Sequence, residues 1–158
     1  MDELTTIRDI ISSSRTAFVT TRDEAGRLVS RPLAVLQDDD FDGTLWFFTQ
    51  DPSPKSDDVE RDGRVNVALS DGKSFLSIAG TATVEHDRGR IEQMWNPAVK
   101  SWFEMEPADP RIALLRIDAE SAEYWSSDRP AVARAFQFVK GIVTGTRPDA
   151  GENGTVEL

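Results

Sequence analysis

Apolar residues follow two patterns along the chain, one with helical spacing and one in short extended runs. Leu4, Ile7, Ile10 and Ile11 recur every three or four residues, which predicts an amphipathic helix over residues 3–13. Seven later segments are rich in β-branched and aromatic residues and are bounded by turn residues, as β-strands are. The predicted strands are 16–21, 28–36, 44–49, 64–70, 75–85, 112–117 and 122–125. The pattern therefore predicts a mainly β chain.

Turn sequences between the early strands predict antiparallel hairpins. Asp23–Gly26, Asp38–Gly43 and Asp71-Gly72 each lie between two apolar runs. Strands 28–36 and 44–49 are then expected to be hairpin neighbours across the second of these turns. Closely spaced antiparallel strands favour a sandwich or a barrel over repeated βαβ units.

Helical spacing returns in three segments between or after the strands. These are residues 54–62, 87–95 and about 130–141, the last with an apolar stripe of Val132, Ala135, Phe136 and Val139. We therefore expect a small barrel with peripheral helices, in one domain that spans residues 1–145. Residues 146–158 form a tail whose final TVEL is a candidate for an added edge strand.

The composition is that of a soluble globular protein, with 39% hydrophobic and 29% charged residues in 158. Eighteen Lys and Arg against 28 Asp and Glu give a net charge of -10, which argues against a nucleic-acid partner. The absence of cysteine excludes disulfides and thiolate chemistry. The acidic start MDELTTIRDI resembles no leader, and no apolar run reaches the ~20 residues of a membrane helix. These features predict a cytoplasmic protein without a membrane partner.

The segment WFFTQDPSPKS, residues 46–56, runs from an apolar strand into a predicted helix. Ser53 and Pro54 are typical of the N-cap and the first helical position. Lys55 is not explained in this way, because a cation in the first turn opposes the helix dipole. A bound phosphate would reverse that argument, since amide groups, a hydroxyl and an ammonium would then surround an anion. The segment is thus either a capped helix alone or a phosphate site.

Arg31 interrupts the apolar run LVSRPLAVL, and Pro32 removes a backbone donor beside it. Arg31 is therefore either a polar edge residue or part of a ligand site. If strands 28–36 and 44–49 are neighbours, Arg31 and Thr49 lie close together. The candidate cluster is then Arg31, Thr49, Ser53 and Lys55.

Other motifs predict no metal or catalytic site. Asp38–Gly43 matches the first half of a calcium loop, but Thr49 stands where the bidentate glutamate belongs. Gly72-Lys73-Ser74 lacks the first glycine of a P-loop and precedes a strand. His86 is the single histidine, so no histidine-based metal site or catalytic triad is available.

The four tryptophans divide into two pairs. Trp46 and Trp125 lie in predicted strands, where packing in the core is the default expectation. Trp95 and Trp102 lie in a polar, irregular stretch that suits an interface or a planar ligand.

An ordered set of segments resembles a known family. The segments are GRLVSRPLAVL, GTLWFFTQDPSPKSDDVERDGRVNVALSD, SIAGTATVEHDRGRIEQMWNP, SWF, DPRIALLRI and AEYW. The chain is identified by them as similar to the general stress protein 26 branch of the pyridoxamine 5′-phosphate oxidase-like, FMN-binding split-barrel family. The resemblance implies a six-stranded antiparallel split β-barrel with peripheral helices, which forms a homodimer with FMN between the subunits. The implied cofactor-binding residues are Arg31, Pro32, Leu33, Phe48, Thr49, Ser53, Lys55 and Trp102, with Ser53 and Lys55 at the phosphate and Trp102 contributed by the partner.

Two departures from the oxidase proper argue against pyridoxamine phosphate oxidation. Gln37 stands near the position at which the oxidase has a lysine. The segment AEYWSSDRP contains no histidine, whereas the corresponding region of the oxidase has one. Three hypotheses remain: an FMN-dependent oxidoreductase with a nicotinamide electron donor and a small stress-related substrate, a non-catalytic flavin-binding or flavin-sensing dimer, and a dimer without cofactor. FAD or a deazaflavin are alternatives to FMN. The sequence assigns no catalytic residue, because the flavin supplies the redox chemistry.

Overall fold

A computed structural model describes residues 3–36, 41–126, 133–139 and 142–144. The helices are α1 (Glu3–Ser13), α2 (Pro54–Arg61), α3 (Arg88–Met94) and α4 (Pro97–Phe103). The strands are β1 (Thr16–Arg22), β2 (Leu28–Ala34), β3 (Thr44–Gln50), β4 (Arg64–Ser70), β5 (Ser74–Glu85), β6 (Ile112–Ser126), β7 (Ala133–Val139) and β8 (Ile142–Thr144). Residues 38–40 of the predicted Asp38–Gly43 turn and the tail 146–158 with its TVEL segment lie outside the described residues.

Strands β1 to β6 form an antiparallel, curled sheet that makes a half-barrel, with the four helices around it. The sheet order is β2-β1-β4-β5-β6-β7-β8, and β3 pairs with the first half of β6. This confirms the predicted mainly β fold, a six-stranded split barrel with peripheral helices. None of the helices in the described ranges is both long and apolar enough to cross a membrane.

The predicted hairpin between strands 28–36 and 44–49 is wrong. Strand β2 pairs with β1, whereas β3 pairs with β6 from Thr44↔Asp118 to Gln50↔Ile112. The reason is burial, because Phe47 and Phe48 are buried on opposite faces of β3 and match the fully buried start of β6. The barrel is therefore open between β2 and β3.

The two predicted strands at 112–117 and 122–125 are one continuous strand, β6. The register with β5 shifts between Ala79 and Gly80, so that Glu120 is an extra residue in the ladder. Gly80 permits this irregularity because a Cβ at that position would collide with the backbone carbonyl of Asp118. The polar residues after Ile117 thus remain in the sheet.

The predicted helix at about 130–141 is also wrong. Residues Ala133–Val139 form β7, which pairs with β6 from Ser121↔Gln137 to Trp125↔Ala133. The second half of β6 lies beyond the end of β3 and offers its backbone groups to a new partner. Ladder hydrogen bonds there override a weak helical periodicity.

Helix α4 was missed, although its start carries the same signal as α2. Asn96 is the N-cap, its side chain accepts a hydrogen bond from the Val99 amide, and Pro97 follows at the first helical position. With α3, this helix covers the second of two apolar clusters. That cluster contains Phe48, Ile91, Val99, Ile112 and Leu114, and the main core contains α1 and the inner face of the sheet.

The outer face of the sheet carries three exposed aromatic side chains. Phe18, Phe75 and Trp125 are 53%, 59% and 41% exposed, and cross-strand pairing places them on the same face. The expectation of a core position is therefore wrong for Trp125. Trp46 is half-buried against the second cluster.

Candidate functional site

The corner between β3 and α2 has the predicted capped geometry. Ser53 is the N-cap and Pro54 follows it, and Ser53 and Ser56 exchange hydrogen bonds as a capping box. The Ser56 amide donates to Ser53 Oγ at 3.1 Å, and the Ser53 amide donates to Ser56 Oγ at 2.9 Å. The Ser53 hydroxyl is therefore already engaged in the hydrogen bond that caps the start of α2.

Lys55 lies in the first turn of α2, where partial burial and the helix dipole both disfavour its positive charge. Burial, and secondarily the positive charge of Arg31, lower the pKa of Lys55 to about 8. No carboxylate within the described ranges forms an ion pair with its ammonium. A partly buried cation beside another cation is stabilised by a bound anion, so this position fits an anionic group.

Arg31 is held beside Lys55 by side chains from two other elements. Its guanidinium donates to Thr21 Oγ1 at 3.0 Å and lies 3.6 Å from Asp58 Oδ2. Asp58 is 6% exposed and also pairs with Arg61 at 3.3 Å, so α2 fixes the orientation of Arg31. Asp58 is thus shared between the guanidinium groups of Arg31 and Arg61.

Thr49 does not join the cluster that the sequence predicted. It is fully buried in β3 opposite Ala113, and its hydroxyl lies 3.4 Å from the carbonyl oxygen of Gln50. No hydrogen bond joins it to Arg31, Ser53 or Lys55. The structure thus brings together Arg31 and Lys55, with Ser53 at the same helix start.

The remaining residues implied by the resemblance differ in what they can offer a ligand. The side chains of Leu33 and Phe48 are buried in the two apolar clusters, so only their backbone is available. Phe48 also packs edge-on against Trp95, with ring centroids 5.3 Å apart. Pro32 is exposed on the outer sheet face, and Trp102 on α4 is 61% exposed.

Sequence reasoning missed the residues that support this corner. Thr21 and Asp58 position Arg31, and neither is among the residues that the sequence singled out. Asp51 accepts hydrogen bonds from Ser56 Oγ at 2.9 Å and is 2.8 Å from His86 Nε2. Nothing in the sequence indicates these contacts, because their partners lie on separate elements.

Residues 2–149 match the model of a family described as pyridoxamine 5′-phosphate oxidase like. Protein bli-3 of Neurospora crassa is 28% identical over 150 residues, covering 88% of this chain and 72% of that protein. The resemblance inferred from the sequence is confirmed by these matches and by the solved structures below.

Two crystal structures illustrate the structural similarity. The general stress FMN/FAD binding protein of Xanthomonas citri is 30% identical, with a TM-score of 0.68, and the match covers 81% of this chain and 91% of that one. General stress protein 26 of Bacillus anthracis is 25% identical, with a TM-score of 0.68, over 78% of this chain and 94% of that one.

Lys55 should titrate near pH 8, well below the ~10.4 of an exposed lysine. NMR titration of the lysine Cε resonances would show this. Arg31→Gln should raise the pKa of Lys55, because it removes the neighbouring positive charge that helps to lower that pKa. Arg64→Gln, which removes an exposed arginine paired with Asp62, serves as the control and should leave it unchanged. A Lys55 pKa above 10, or no response to Arg31→Gln, would contradict this account.

Proposed function

The chain belongs to the pyridoxamine 5′-phosphate oxidase-like family, and we propose that it is an FMN-binding general stress protein that acts as a flavin-dependent oxidoreductase. The observation that carries the proposal is the pair of Arg31 and Lys55, two cations close together, of which Lys55 is partly buried and has no ion-pair partner among the described residues. A terminal phosphate is the flavin group that such a pair would hold. When bound, the flavin supplies electron-transfer chemistry, and the protein supplies binding and orientation.

The chemistry of the donor set supports a phosphate at this corner. Lys55 offers an ammonium and Arg31 a guanidinium, and charge-assisted hydrogen bonds to phosphate are among the strongest in proteins. Ser53 would contribute its hydroxyl only by sharing it with the cap of α2. The Xanthomonas citri protein, described as FMN/FAD binding, supports a flavin as the ligand.

The flavin ring would lie along β2 and the end of β3. Pro32, Leu33, Phe48 and Thr49 would line it chiefly through their backbone, because three of these side chains are buried. We propose FMN rather than FAD or a deazaflavin, because a terminal phosphate concentrates nearly two negative charges on one group beside Arg31 and Lys55, whereas each phosphate of a diphosphate bridge carries one. The absorption spectrum of the purified protein and the identity of the cofactor released from it distinguish FMN, FAD and a deazaflavin.

A homodimer is proposed from the exposed aromatic face. Phe18, Phe75 and Trp125 together are an apolar surface of the kind that marks an interaction site in soluble proteins. The exposed Trp102 would then reach the flavin from the partner subunit. We further propose that this dimer acts in the cytoplasm.

A non-catalytic flavin-binding or flavin-sensing protein is the second candidate function. Within the described residues no histidine contacts Arg31 or Lys55, and we assign no acid or base there. Hydride transfer to a flavin requires none, so this observation is compatible with the enzyme as well. Pyridoxamine phosphate is not proposed as the substrate.

Lys55→Ala should weaken FMN binding by about 10- to 100-fold while leaving the fold intact, because one charge-assisted contact contributes roughly 1.5–3 kcal/mol. Quenching of flavin fluorescence would measure the dissociation constant. Lys73→Ala, on the exposed β4–β5 turn, removes the same charge elsewhere and should have no effect. Wild-type affinity should also fall as pH rises above about 8, where free Lys55 loses its proton. Unchanged affinity in Lys55→Ala would refute the site.

Phe75→Glu should convert the dimer into a monomer, because a buried, unpaired charge would replace an apolar contact. Light scattering after size exclusion would report a mass near 17.6 kDa instead of twice that value. Ala25→Glu adds the same charge at the exposed β1–β2 turn and should remain dimeric. A monomeric wild-type protein would rule out the proposed assembly.

Anaerobic mixing of the FMN-loaded protein with NADH or NADPH should bleach the flavin absorption faster than with free FMN. Such bleaching tests the oxidoreductase directly, since the nicotinamide is the proposed electron donor. If the bound flavin is reduced no faster than free FMN by either nucleotide, the non-catalytic binder is the better description.

A further inference from the structure

A second groove lies away from the phosphate corner, between the end of β2 and helices α3 and α4. Its volume is about 670 Å³. Most of its wall is apolar, from Ala34, Val35, Leu36, Trp46, Met94 and Ala98. Arg15 and Arg90 stand at this wall, with Ser14, Gln93 and Asn96 as the other polar lining residues. We call this the arginine groove.

Arg15 and Arg90 differ from the other arginines in the described part of the chain. Every other arginine within residues 3–36 and 41–126 forms an ion pair with a carboxylate or, for Arg8 and Arg88, donates to backbone carbonyls. Within the same ranges, no hydrogen bond or ion pair engages the guanidinium of Arg15 or Arg90. Both side chains are exposed, and both line one groove. Two guanidinium groups without a carboxylate partner among the described residues therefore line one groove.

The position of Arg90 is fixed by stacking. Its guanidinium carbon lies 4.3 Å from the centroid of the Trp46 ring, which is a cation–π contact. Stacking of this kind uses the face of the guanidinium and leaves the N–H donors at its edge free for a planar oxyanion. Trp46 is half-buried in β3, so the contact anchors Arg90 to the barrel.

The charge of the groove is opposite to that of the whole protein. No Asp or Glu is among its lining residues in the described part of the chain, although the net charge of the chain is -10. The acidic residues Asp38–Asp40 follow Leu36 in sequence and lie outside the described residues. A local positive site in an acidic protein selects anions by their immediate contacts, because the long-range field opposes them.

We propose that the arginine groove binds a small organic acid, with its carboxylate at Arg15 and Arg90 and a flat apolar body against Trp46, Leu36 and Met94. The apolar wall excludes inorganic anions as the preferred ligands, and the two guanidinium groups disfavour neutral apolar ones. This inference rests on the proposed function, for which it names the class of the substrate. The groove begins at Ala34, three residues after Arg31 on β2, so the two sites are roughly 10 Å apart along one strand.

Calorimetry with naphthalene-2-carboxylate and its neutral isostere naphthalene-2-carboxamide tests the proposal, on flavin-free protein at low ionic strength. The carboxylate should bind at least about tenfold more tightly than the amide, as expected for a charge-assisted contact. Arg15→Gln and Arg90→Gln should each weaken carboxylate binding about tenfold and leave amide binding unchanged. Both residues are exposed, so neither substitution threatens the fold.

Lys73→Gln is the matched control, because it removes one positive charge outside the groove. It should change carboxylate binding by less than about twofold, since a distant exposed charge is largely screened. Equal binding of carboxylate and amide, an equal loss in Lys73→Gln and Arg90→Gln, or no measurable binding of the carboxylate would each overturn the proposal.

FMN titration of the same variants separates this proposal from the flavin site. Arg15→Gln and Arg90→Gln should retain wild-type FMN affinity, and a marked loss would overturn the proposal by making the groove part of the cofactor site. If FMN binds through Lys55 but the carboxylate does not bind, the groove proposal alone fails. If the carboxylate binds through both arginines and FMN does not bind, the proposed flavin function fails and the groove remains a site for organic acids.

Discussion

Backbone pairing along β6 is the constraint on which the rest of the structure depends. This 15-residue strand pairs with β5 along one edge, and its other edge is shared by β3 and then β7. Because β3 pairs with β6, β2 has no partner among the described strands on the side that faces β3. The barrel is open there, and both the Arg31–Lys55 corner and the arginine groove lie along that opening. A single choice of strand partner thus creates the space for the two proposed ligand sites.

The second constraint is electrostatic, and it acts locally. The chain carries a large excess of acids, yet two cations lie close to each of these two places. Most arginines within residues 3–36 and 41–126 form ion pairs with nearby carboxylates, as Arg64 does with Asp62. Lys55, Arg15 and Arg90 lack such partners among the described residues. The lowered pKa of Lys55 shows that its charge is held against burial and a neighbouring cation, which a bound anion would relieve.

The candidate site was predictable from the sequence in part. Lys55 stood out because a cation at a helix start opposes the dipole, and Arg31 because it interrupts an apolar strand. Their proximity was predicted for the wrong reason, since the expected β2–β3 hairpin with Thr49 does not exist. Arg31 lies near Lys55 because Asp58 of α2 and Thr21 of β1 hold it. Those contacts join elements far apart in sequence, and no local pattern encodes them.

The sequence by itself determined the features that depend on neighbouring residues. The caps of α2, the strand segments and the turn at Asp71-Gly72 follow from side chains a few positions apart, whose interactions are the same in any fold. Only the tertiary structure decided that β3 pairs with β6, that Ala133–Val139 is a strand, and that Trp125 is exposed. A strand exposes the same backbone groups to every possible partner. The partner of a strand is therefore selected by the burial and pairing of the whole sheet, and not by the residues of that strand alone. The pairing of β3 with β6, which begins at Thr44 and Asp118, is an example.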